Sequence, residues 1–176
     1  MRSSRIYLGL AGVVLALAAC SDSGPTTHAG VTALAEIIPA PGSTGIDPAA
    51  PMVMRFSGAM GSGMEQYVDV HQGDIAGPIV PMRSWIWSTD RSRLTCTPGE
   101  PLQSHTRYVI HMGSGMTDAS GHMADTEQHG TQMGGQPVTA AMMGPMHDGR
   151  SATTMGPGWQ DPGDGHVGMA FTFETQ

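Results

Sequence analysis

Residues 93–121, RLTCTPGEPLQSHTRYVIHMGSGMTDASG, tie the chain to β structure. Leu94 and Cys96 alternate with Thr95 and Thr97, and Tyr108, Ile110 and Met112 alternate with Val109 and His111, the two-residue period of strands that bury one face. Between them Pro98, Gly99 and Pro101 supply fixed or permissive φ and predict a turn, and Asp118 to Gly121 predicts a closing loop. Two half-buried strands follow. The same period recurs upstream, where Met52, Met54 and Phe56 alternate with Val53 and Arg55. Val68 and Val70 form the natural inner face of another strand, which turns Asp69 and His71 outward together. That pair could hold a metal, but the plainer reading is a solvated pair near a sheet edge. Pro78 and Pro81 keep their stretch out of a central strand. Trp85 and Trp87 share one face opposite Ile86 and are expected to dominate the core, since each aromatic buries about 150–250 Å². Exposed, they would instead make a platform for stacking carbohydrate.

The order of these pieces resembles a known family. T-P-x-x-P-L at residues 97–102, T-x-Y at 106–108 and T-D-x-x-G at 117–121 resemble the bacterial Ig-like domain of surface-layer and secreted proteins, the SbsA-type module. Residues 39–46 resemble its opening P-x-x-G-x-x-G-V, Phe56 to Met60 its F-S-x-x-M corner, and residues 171–175 its closing F-T-F-x-T. The resemblance implies an all-β fold, an Ig-like antiparallel sandwich of about seven strands over residues 31–123 and 168–176. It also implies that Met60 plugs one end of the core. Such sandwiches host many roles, so function has to come from a site. In the usual domain the last strand follows the T-D-x-x-G loop closely. Here residues 124–167 intervene, rich in Gly, Met and His and without helical or alternating periodicity.

The first residues give an address. Arg2 and Arg5 precede an apolar run over residues 6–19, too short to span a bilayer, so residues 1–19 read as a removable signal. Leu17-Ala-Ala-Cys20 resembles a bacterial lipobox, which implies a lipid on Cys20 as the membrane partner; Ser21 in place of Asp implies the outer membrane. Residues 20–30 then form a flexible tether. Cys96 is left without a disulfide partner and reads as a small buried hydrophobe. The formal charge is −7, with no lysine and scattered arginines, so no nucleic-acid footprint is present.

Methionine carries the one chemical signal. The chain has 15 Met, while beyond the signal the only leucines are Leu34, Leu94 and Leu102. Met52, Met54, Met60, Met82, Met112 and Met169 fall at inward or corner positions, where a flexible thioether packs well. Met116, Met123, Met133, Met142, Met143, Met146 and Met155 fall in Gly-rich sequence, interspersed with His111, His122, His129, His147 and His166. Thioethers select Cu(I) and imidazole suits copper too. The expected metal ligands are therefore His111, Met116, His122, Met123, His129, Met133, Met142, Met143, Met146 and His147. The competing reading is a loosely packed loop that uses Met as its hydrophobe. No P-loop, HExxH, CxxC or GxSxG occurs, and no enzyme is expected. The sequence thus predicts a non-catalytic envelope lipoprotein that binds copper, or a structural module that contacts another envelope protein or a glycan.

Overall fold

The computed structural model describes residues 30–143, 155–163 and 165–176; Cys20, the signal and the tether up to residue 29 lie outside the described residues. Among the described residues eight strands and one short α-helix run in the order β1 (Leu34–Ile38), β2 (Met52–Phe56), β3 (Val68–Gln72), β4 (Met82–Trp87), β5 (Arg93–Pro98), β6 (Arg107–Met112), α1 (Glu127–Gln132), β7 (Gln136–Thr139) and β8 (His166–Glu174). They form two four-stranded antiparallel sheets, β1-β2-β5-β4 and β3-β6-β8-β7. This is the expected all-β sandwich. The eighth strand, β7, comes from the stretch in which no periodic run is legible.

Alternation places the core between the sheets. In the first, Met52 faces Cys96 and Met54 faces Leu94 across β2 and β5. In the second, Tyr108 faces Phe173, Ile110 faces Phe171 and Met112 faces Met169 across β6 and β8. All of these side chains are buried in one cluster with Leu34, Phe56, Val68 and Val70. Met60 is wholly buried at its corner. The thiol of Cys96 is buried as well, and desolvation pushes its pKa up to about 12, so it stays protonated and packs as a hydrophobe.

Trp85 and Trp87 do not dominate this core. β4 is an edge strand with a register shift, and both rings pack only partly against the cluster from its rim. An indole N–H needs a partner wherever it sits. Trp87 Nε1 donates to Glu65 Oε2 at 2.8 Å, and the Arg91 guanidinium lies 5.1 Å from the ring centre. The fully buried tryptophan is Trp159, and it belongs to a different layer.

That layer covers the outer face of the second sheet. Val109, Val138, Trp159, Val167 and Ala170 form a second apolar cluster, with Ile75 and Met155 packed against it. Trp159 ends a short 3-10 turn, Pro157–Trp159, which docks by backbone contact. A Cβ on Gly113 would fall 2.2 Å from the Gly158 Cα, and one on Gly158 would fall 2.9 Å from the Tyr67 Cα. Only hydrogen at both positions lets the turn lie this close to the end of β6. Burying an indole of 150–250 Å² contributes about 4–6 kcal/mol before ordering costs. Adding one methyl by Gly113→Ala should therefore lift the turn and lower unfolding free energy by about 1–3 kcal/mol in urea titrations. An unchanged midpoint would mean that this docking does not form.

Candidate functional site

β3 and β6 pair so that Asp69 lies opposite His111 and His71 opposite Val109. Asp69, His71, Val109 and His111 thus share the outer face of the second sheet, with the two histidines diagonal to each other. The second cluster covers that face, and both histidines are wholly buried. The solvated reading of His71 is corrected by this cover. Trp159 lies over the pair, its ring centre 3.9 Å from that of His111 and 5.3 Å from that of His71. Its indole N–H donates to Asp69 Oδ2 at 2.5 Å.

Each imidazole is held by one backbone carbonyl. His71 Nδ1 lies 2.9 Å from the Gly77 oxygen, and His111 Nε2 lies 2.8 Å from the Val167 oxygen. A carbonyl only accepts, so each of those nitrogens carries the hydrogen. The Val167 contact depends on an irregularity in β8. The register between β7 and β8 shifts beside Gly168, whose φ of 118° favours glycine, and Val167 joins the outer cluster. The second nitrogens, His71 Nε2 and His111 Nδ1, are buried and make no hydrogen bond among the described residues. Burial pushes the His111 pKa down to about 3; the Val167 carbonyl acts against that drop, and neighbouring His71 adds to it. His111 is therefore neutral at ordinary pH.

The expected ligands fall in several places. His111 is in the covered layer just described. Met116 is buried in the core between the sheets, and Met133, after α1, packs partly against that core. His122 and Met123 sit together at the surface, with His122 Nδ1 3.7 Å from Asp118 Oδ2. Asp118 Oδ1 also accepts the backbone N–H groups of His122 and Ser120, which hold that carboxyl below its ordinary range. His129, on α1, pairs with Asp125 through Nδ1 at 3.0 Å. Met142 is exposed in the turn Ala140–Met143, to which Met143 also belongs. Met146 and His147 lie outside the described residues. Among the described residues no three or more His, Cys, Asp or Glu side chains gather around one point. Sequence reasoning passed over Trp159 and set His71 aside. The one signal for a covered outer face was Val109 beside His111 in Tyr108-Val-Ile-His-Met112, where the outward positions are not both polar.

A family model described as a bacterial Ig-like domain matches residues 30–131. The match ends in α1, ahead of β7, the Pro157–Trp159 turn and β8. No curated protein matches the chain. Among solved structures it is similar to Mycobacterium tuberculosis L,D-transpeptidase 1, at 17% identity and TM-score 0.37, covering 47% of this chain and 36% of that one. It is similar also to the S-layer protein SbsC, at 15% identity and TM-score 0.42, covering 57% of this chain and 13% of that one. An L,D-transpeptidase from Mycobacterium smegmatis gives 20% identity and TM-score 0.38, covering 54% and 39%. The chain thus spans well under half the length of these proteins.

The state of His111 has a measurable consequence. The unfolded chain takes up a proton there near pH 6.5, whereas the folded chain resists protonation until about pH 3. This contribution to stability is whole above pH 6.5 and is lost as pH falls toward 3, by about 1.4 kcal/mol per unit. Asp69 and His71 face the same layer, so the contribution is read as a difference between two proteins. Urea unfolding from pH 7 to 5 should weaken faster for the native chain than for His111→Gln, which keeps a donor for Val167. Equal slopes would rule out a neutral buried His111.

Proposed function

The chain belongs to the bacterial Ig-like domain family, and on that footing we propose that it is a non-catalytic module of the cell envelope that takes up copper through His and Met side chains. One observation supports this reading. Imidazole, indole and thioether groups collect on a sheet face that an antiparallel sheet commonly leaves to water, in a chain whose methionines exceed what its core uses. Neutral imidazole and thioether are the donors that suit copper, and thioether favours Cu(I). Two further thioethers, on Met123 and Met142, stand 58% and 56% exposed, open to an ion at the surface. In this reading lipid on Cys20 holds the module at the outer membrane, with residues 21–30 as tether and the domain free of the bilayer.

A second reading, an interaction module that contacts another envelope protein, is favoured by an open, mostly apolar groove of about 410 Å³. Ile79, Val80, Leu102 and Tyr108 line it.

Copper decides between them. Titrating the full chain into a coloured Cu(I)–chelator complex should strip the metal from it with a defined stoichiometry. A chain that leaves the complex intact has no copper role. The anchor is tested apart from the metal: Cys20→Ser should move the protein from the membrane fraction to the soluble one, and retention at the membrane would remove the lipid from the proposal.

A further inference from the structure

We propose that His71 and His111, roofed by Trp159, form a buried two-nitrogen site for a single Cu(I) ion, a location that rests on the copper reading above and gives it a place in the fold. The nitrogens that would face the ion are His71 Nε2 and His111 Nδ1, two ring atoms that make no hydrogen bond among the described residues although both rings are wholly buried.

Three features of the site match a metal more closely than a packed core. A bare imidazole lone pair buried away from water is an unmet acceptor, and such atoms are rare in folded proteins. Two of them occur here on one sheet face, under one indole. Next, both rings donate their other N–H to a backbone carbonyl, the outer contact that fixes tautomer and ring direction in metal-binding histidines. Finally, the register of β3 and β6 makes the two histidines diagonal neighbours on one face. Diagonal neighbours on an antiparallel pair stand about 7–8 Å apart, and imidazoles reaching inward from that distance can meet on an ion about 2.0–2.1 Å from each nitrogen.

The donor set selects the ion. Calcium and magnesium require six or more oxygens, and structural zinc takes four ligands. Two imidazole nitrogens satisfy a soft ion of low coordination number, and Met155 packs against the same cluster as Trp159. The Trp159 ring centre lies 3.9 Å from that of His111, and the face of a tryptophan ring draws a cation within about 6 Å. Asp69 fixes that indole by accepting its N–H and places a carboxylate beside the incoming charge.

The test separates the ligating nitrogen from the structural one. Asn offers an amide N–H where imidazole has Nδ1, and Gln offers one where it has Nε2. In His71→Asn/His111→Gln the bonds to Gly77 and Val167 can persist while both ion-facing nitrogens are gone. The full chain, this double variant and a surface control, Met123→Leu/Met142→Leu, are titrated with Cu(I) against a chelator and with Ag(I) alone. Removing an outer contact costs ten- to hundredfold in affinity, so losing both ligands should cost at least about a hundredfold, with the control within about threefold of the native chain. A folded double variant with native affinity would overturn the site and leave the copper reading standing, with the metal bound elsewhere. A native chain that takes neither ion overturns both. If the double variant does not fold, nitrogen NMR of the native chain decides. Ag(I) should move the resonances of His71 Nε2 and His111 Nδ1, and resonances that stay in place would refute the site.

Discussion

A sheet buried on both faces must satisfy its polar groups on both, and that requirement governs the second half of this molecule. β3, β6 and β8 turn Val68, Val70, Tyr108, Ile110, Met112, Met169, Phe171 and Phe173 toward the first sheet. Their opposite face, which carries Asp69, His71, Val109, His111 and Ala170, has been taken from water by Val138, Trp159 and Val167. Apolar residues on that face gain from the cover. The histidines gain less, because each finds a partner for only one ring nitrogen. The proposed copper site follows from this half-met demand, and burial of the same His111 ring lowers its pKa.

The inner faces were legible because their signal is local. Alternation at Met52 to Phe56, Leu94 to Cys96 and Tyr108 to Met112 gave the correct side of the sandwich, and Met60 and Cys96 are buried as read. The outer layer was not legible as a layer. Val138, Trp159 and Val167 are 21 and 8 residues apart, so no window holds enough of them to show a period. Their docking depends on the absence of side chains at Gly113 and Gly158, and sequence reading treats such glycines as loop residues. The twin tryptophans failed for another reason. Period two told correctly that Trp85 and Trp87 share a face, but it carries no information on whether a strand lies at the edge or the centre of its sheet.

Methionine divides in the same way. Met52, Met54, Met112 and Met169 are core by alternation, and Met116 joins them although it follows a Gly-rich turn. Composition counted it with the loop residues, since sequence near the end of a strand does not reveal how the chain turns back. Met123 and Met142 remain outside the core. A thioether without a fixed partner is soft and polarisable in either setting, so only its surroundings distinguish filler from donor.

The two apolar clusters have no residue in common, although both rest on the same strands. Such an arrangement divides the molecule into cooperative units of unequal strength. Among the described residues the outer cluster has fewer buried groups than the sandwich beneath it, and a unit with fewer buried groups is expected to open at a smaller free energy. Partial, reversible opening of that unit would give solvent and small solutes a route to the back of the second sheet that leaves the strand pairing of the inner unit in place.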